Sequence, residues 1–300
     1  MASMPSELIV DAGDSIAASS VQVTMEKASR IATLPAIAVR IIQLCNDPET
    51  TIEDLLRIID PVLGTKILRL VNSAYYGVSG QIKSIKHAIL MLGLNAVKNI
   101  AIAASLVKLA RGGRLTANFQ ASDLWEHCIA VATASRLLAQ KTQGIPADEA
   151  FLAGLIHDIG IIVEFQACRI EFIQLLEQLA ADSQLTFRAA EVQTLGASHE
   201  DLGAKLCAAW NFPESLQRAV GYHHRPWDLP VSQQRLPALI HIADVLAVRA
   251  GIGYVRTLET DVIASGLRDQ FELDDVDFDE IVEQLPEAVL EAGPLLSVDH

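Results

Sequence analysis

The stretch AGLIHDIGIIVEF, Ala153 to Phe165, sets a histidine beside an aspartate in an otherwise apolar run. A run this apolar belongs in a core. Ionisable groups there must be hydrogen-bonded, bound to a metal, or retained from an ancestor that bound one. Hydrophobic residues make up 51% of the chain but aromatics only 5%, and Ala, Leu, Ile and Val dominate, a mixture that favours packed helices over a sheet sandwich. An all-α fold is therefore expected. At 300 residues the chain exceeds one usual domain of ~100 to 150, which predicts a multi-helix, two-lobed architecture.

Punctuation along the chain divides it. Residues 1–22 are small, polar and acidic and read as a flexible lead-in. Residues 23–110 read as an N-terminal helical lobe. Within it Thr50 or Thr51 can cap one helix, Pro61 opens the next, and helical periodicity runs on either side of Gly93. RGGRLTANFQASD, Arg111 to Asp123, breaks the pattern, and a second lobe follows over 120–250. It begins with a long helix capped by Ser122 or Asp123, followed by one running unbroken from Pro146 through PADEAFLAGLIHDIGIIVEFQ. Residues 251–300 form an acidic C-terminal helical extension, amphipathic from Asp274 onward.

A net charge of −14 repels phosphate backbones and anionic lipid, which argues against generic nucleic-acid binding. Cys45, Cys128, Cys168 and Cys207 are widely spaced and form no CxxC pair, as expected of buried thiols in a reducing compartment. No apolar run approaches the ~20 residues that span a bilayer, and the N-terminus lacks export features. The expectation is a soluble cytoplasmic protein without a membrane partner.

Six of the eight histidines fall between His127 and His241. Taken singly, a helical histidine is more often a hydrogen-bonded core or surface residue than a ligand. His157 and Asp158, neighbours on a helix, diverge by roughly 100° and converge only on something lying between them, such as a cation at a helix junction. Asp244 sits in the apolar helix LIHIADVLA and needs a partner, which His241 one turn earlier could be without any metal. His223 and His224 precede Pro226 at a helix C-terminus, where the dipole favours a protonated imidazole and one ring facing solvent.

The order histidine, His-Asp, histidine, His-His, aspartate resembles the HD superfamily of metal-dependent phosphohydrolases, in particular the HD-GYP branch that hydrolyses cyclic di-GMP. The resemblance implies metal ligands at His127, His157, Asp158, His199, His223, His224 and Asp244, Asp158 bridging two ions, and one or two divalent transition metals (Fe, Mn, Zn or Ni) as cofactor. The segment LPAIAVRIIQLCNDPETTIEDLLRIIDPVLGTKILRLVNSAYYG, followed by IKSIKHAILMLGLNAVKNIAIAASL, resembles the HDOD family of HD-related output domains. With the second lobe this similarity covers roughly Ile31 to Ala250. It implies an all-α bacterial signalling module whose C-terminal lobe is HD-like and which acts on a protein partner the sequence does not identify.

Two departures separate the chain from the hydrolases. After HDIG they carry a lysine, and here the position is Ile161; after His-His they continue to GYP, and HHRPWDLPVSQQ contains none. The resemblance thus favours a regulatory module that retains a metal site. A metal-dependent phosphohydrolase and, more distantly, a di-iron redox centre remain as alternatives, and no residue is assigned a catalytic role. Elsewhere, Asn72, Ser73, Tyr75 and Tyr76 read as turn and inter-lobe packing residues, and Lys66, Arg69, Lys83, Lys86 and Lys98 as a solvated basic face.

Overall fold

The structure is a computed structural model that describes residues 26–27, 34–73, 76, 80–110 and 112–293. The expected lead-in at 1–22 and Tyr75 lie outside the described residues. Among the described residues the fold is all-α apart from one small hairpin.

Among the described residues from Ala36 onward, five helices build the N-terminal part: α1 (Ala36–Asn46), α2 (Ile52–Ile58), α3 (Pro61–Val71), α4 (Ile85–Leu92) and α5 (Leu94–Leu106). Their ends follow local chemistry. Thr51 caps α2 through a capping box with Asp54, and Asp60 caps α3 ahead of Pro61. Gly93, at φ 91, ends α4 and starts α5, a backbone conformation that a side chain would strain. Asn72 closes the following loop by bonding to the backbone of Leu68 and Ile82. Lys98 departs from the expected solvated face: it is buried, and its Nζ donates to Leu44 O at 2.8 Å, satisfying a last-turn carbonyl of α1.

The break expected at Arg111 to Asp123 holds the hairpin, β1 (Arg114–Thr116) and β2 (Phe119–Gln120), whose strands pair antiparallel. From it emerges α6 (Ala121–Lys141). Neither Ser122 nor Asp123 caps this helix. Its N-cap is Gln120, because β2 leads directly into it.

Next come α7 (Ala147–Ile156), α8 (Ile159–Ala167), α9 (Arg169–Ala181), α10 (Phe187–Leu195), α11 (His199–Ala209), α12 (Glu214–Tyr222), α13 (Val231–Arg249), the short α14 (Ser265–Arg268) and the acidic α15 (Asp275–Ala292). The helix expected to run unbroken from Pro146 is in fact two, interrupted at His157 and Asp158, where Asp158 takes φ −96 and ψ 20. Together they form a 21-residue stretch, Ala147–Ala167, whose most apolar 18-residue window has a mean hydropathy of 1.5, enough by length and composition alone to cross a membrane. That corrects the expectation that no run approaches this length. The apolarity is that of a core, since 89% of the window is buried, packed by α5, α6, α11 and α13.

The buried apolar residues from Leu34 to Ala292 form one main cluster, so the N-terminal helices and the helices after the hairpin share a core. Tyr76 joins them: its hydroxyl bonds to Asp148 of α7, and the Arg136 guanidinium of α6 lies 3.9 Å over its ring while pairing with Asp148. Cys128, Cys168 and Cys207 are buried, and burial pushes the Cys207 thiol up to about 12.

Candidate metal centre

Five helical segments deliver the seven residues singled out in the sequence to one place. His127 projects from α6, His157 and Asp158 sit at the α7–α8 junction, His199 opens α11, His223 and His224 follow α12, and Asp244 lies within α13. Gly160 makes the junction possible. A Cβ there would lie 2.1 Å from His199 O, so only glycine lets α8 approach the start of α11 this closely.

Asp158 is at the middle. Its Oδ2 is 3.2 Å from His157 Nε2 and 3.8 Å from His127 Nε2, and its Oδ1 is 3.4 Å from His199 Nε2 and 3.5 Å from His223 Nε2. His127 Nε2 also lies 3.2 Å from Asp244 Oδ1, and His224 Nδ1 is 3.9 Å from Asp244 Oδ2. The donors fall into two overlapping groups, His127, His157 and Asp158 in one and Asp158, His199, His223 and His224 in the other, each compact enough for one ion.

Two features of this cluster suit a metal. First, both oxygens of Asp158 and of Asp244, with Nε2 of His127, His157 and His224, are buried without a hydrogen bond among the described residues. Such groups are expensive to leave unpaired, and a cation would satisfy them together. Second, several rings are held from behind. His157 Nδ1 donates to Gly154 O at 2.7 Å and His223 Nδ1 to Val220 O at 2.9 Å, which leaves each Nε2 lone pair facing the centre. His127 Nδ1 has no such acceptor among the described residues.

Electrostatics are dominated by enclosure. Burial opposes the charge of Asp158, yet His157, His223 and His199 hold its pKa well below the carboxylate range. Burial likewise opposes the charge of Asp244, which His127 brings below its ordinary value. Burial works against protonation of His199, but Glu191 and Asp158 outweigh it and lift the pKa to about 10. His157 is raised too, Asp158 overcoming burial, so a metal occupying the cluster would displace protons from these rings.

Two expectations for the flanking histidines fail. His241 is not the partner of Asp244; its Nδ1 bonds to His223 O at 2.8 Å, steadying the His223–His224 segment. Neither His223 nor His224 faces solvent. Both are buried, and burial together with the nearby His223 and His199 drives the pKa of His224 well down.

Three buried acids were not foreseen from the sequence. Glu191 Oε1 and Oε2 lie 2.8 and 2.9 Å from His199 Nδ1. Glu200 accepts from His224 N at 3.4 Å and pairs with Arg188 Nε and Arg225 Nε at 3.1 and 3.5 Å. Glu164 lies beside Glu191 with no exposed surface. Glu191 and Glu200 sit in ordinary amphipathic patterns, where only the adjacency of Glu200 to His199 could have drawn attention, whereas Glu164 lies inside the apolar stretch Ala153 to Phe165, and a carboxylate there is itself a signal.

The HDOD domain profile matches residues 31–226. Among curated proteins, an uncharacterised protein of Treponema pallidum (strain Nichols) is 23% identical over 242 residues, covering 78% of this chain and 45% of that protein, so the chain spans less than half of that relative's length. Among solved structures, an HDOD domain protein of unknown function from Geobacter sulfurreducens is 26% identical with a TM-score of 0.72, covering 93% of this chain and 97% of that one. A protein of Marinobacter aquaeolei VT8, provisionally described as acting in signal transduction, superposes with a TM-score of 0.74 at 22% identity over 97% of this chain and 67% of that one. Another, from Shewanella amazonensis SB2B and provisionally described as a phosphohydrolase, does so with a TM-score of 0.70 at 21% identity over 91% and 98%. The last two likenesses establish the fold alone.

Proposed function

Because the chain belongs to the HDOD family, we propose that it is a bacterial signalling module that works in the cytoplasm through contact with a protein partner. Its buried centre, in this reading, takes one or two Fe, Mn, Zn or Ni ions as a structural element. The observation that carries the proposal is enclosure: His127, His157, Asp158, His199, His223 and Asp244 are all 0% exposed. Closed, fully ligated sites are the structural kind, whereas catalytic sites keep a position open to substrate. Ile161, where the similar hydrolases carry a lysine, is also fully buried and offers a phosphate no charge.

A bound divalent cation would supply positive charge between the carboxylates and, in a hydrolase, Lewis acidity toward a phosphodiester. The residues of this chain do the rest. Asp158 supplies an oxygen to each half of the cluster, His157 and His223 present Nε2 because their Nδ1 protons are engaged, and Asp244 draws His127 inward. The completeness of this donor set favours a second reading, a metal-dependent phosphohydrolase acting on a cyclic dinucleotide or another phosphoester.

Elemental analysis of the purified chain beside Asp158→Ala, followed by incubation of the Mn- or Fe-loaded proteins with cyclic di-GMP, separates the two. Near-stoichiometric metal that Asp158→Ala loses, without turnover, is the expected result. Efficient hydrolysis abolished by Asp158→Ala would replace this reading with the hydrolase. Failure of both proteins to take up Fe, Mn, Zn or Ni would leave a signalling module without a metal.

A further inference from the structure

We propose that Glu191 is a positioning residue of the centre, fixing the tautomer and direction of His199 so that its Nε2 is presented to Asp158 and His223. The inference rests on the reading of the cluster as a metal centre.

His157 and His223 each end a helix, so the carbonyl three residues back, Gly154 O or Val220 O, is a helical carbonyl positioned to take the Nδ1 proton. His199 is instead the first residue of α11. Three residues before it stands Gly196, the left-handed C-cap of α10 at φ 77, and no turn of its own helix precedes the ring. The missing acceptor comes from α10. Glu191 receives the Nδ1 proton and, through Oε2, also the His199 backbone N–H at 3.1 Å. Both residues are 0% exposed, so the carboxylate is not held there by solvent. On the other side His199 Nε2 is 3.3 Å from His223 Nε2 and 3.4 Å from Asp158 Oδ1.

A carboxylate behind an imidazole fixes the ring more firmly than a carbonyl does and makes it a stronger donor. The half of the cluster made by Asp158, His199, His223 and His224 therefore depends on Glu191, while the half made by His127, His157 and Asp158 does not.

The test uses the full chain as wild type, Glu191→Ala and Glu191→Gln, titrated with Co2+ alone after the metal-free proteins have been compared by thermal melting. Glu191→Ala is expected to weaken Co2+ binding at the His199 half by roughly 10–100-fold. It should also remove one hyperfine-shifted, exchangeable imidazole N–H resonance from the proton spectrum of the Co2+ form. Glu191→Gln, whose amide oxygen accepts the same proton, should recover most of the affinity and the resonance, which a role confined to helix packing would not require. If Glu191→Ala does not fold, Glu191→Leu, which keeps the bulk and removes the acceptor, is read by the same criteria. Equal affinity and unchanged N–H resonances in the wild type and the acceptor-less variant would overturn the role of Glu191 and leave the metal centre standing. No Co2+ binding by the wild type would overturn both.

Discussion

Glu164 has no exposed surface, and burial, reinforced by the charge of Glu191, pushes its pKa well above that of a free glutamate. In the unfolded chain it ionises near 4.5. As pH rises past that value the unfolded chain gives up its proton first, so the folded state loses stability relative to it. Glu164→Gln removes the penalty. Thermal melts from pH 5 to pH 8 should show the variant gaining on the wild type as pH increases, and a gap that stays constant would mean Glu164 ionises as an ordinary glutamate. At this scale the sequence reveals a site only where residue types are out of place. His157 and Asp158 stand out because the run around them is apolar, and Asp244 because its helix is. Glu164 stands out by the same criterion, since it shares the apolar run of His157 and Asp158, but Glu191 and Glu200 do not, because a glutamate every few residues along a helix is what an exposed face looks like.

The α7–α8 break is the element on which the centre turns. Periodicity continues through Ile156 to Ile159, so an uninterrupted helix is the natural reading, and the break falls at His157 and Asp158, the two residues of the junction that face the cluster. Gly160 then seats α8 against α11. Gly160→Ala would force its new methyl into the His199 carbonyl, a backbone neighbour that cannot swing aside. The expected cost is about 1–3 kcal/mol in denaturant melts, with metal content reduced alongside because Asp158 and His199 are moved apart. Lost stability with full metal content would show that α8 and α11 can separate without disturbing the two ligands.

In the whole molecule the centre gathers α6, the α7–α8 junction, α11, the end of α12 and α13, and the main core continues from these into the N-terminal helices. Tyr76, Arg136 and Asp148 add a polar tie across the same boundary. A ligand that binds only the folded state stabilises everything that unfolds with it, by about 2.7 kcal/mol at a free concentration one hundred times Kd. Mn2+ is therefore expected to raise the melting temperature of the chelator-treated protein while calorimetry keeps a single transition. Two transitions, with only the later one moved by metal, would show that the N-terminal helices melt by themselves despite the shared core.

Local physics explains why the fold class and many helix ends were legible in the chain. Helix formation, the Thr51 cap and the opening at Pro61 depend on residues within a few positions of one another. The candidate donor set came by another route, from the resemblance of the ordered histidines and aspartates to the HD superfamily, since each residue alone left a core or surface reading open. Tertiary structure decided the rest: the break at Asp158, the burial of His224, the diversion of His241 to a backbone carbonyl, the carboxylate behind His199 and the closure of the centre from solvent. Each depends on which groups meet across tens of residues of chain, where desolvation and hydrogen-bond geometry outweigh local preference.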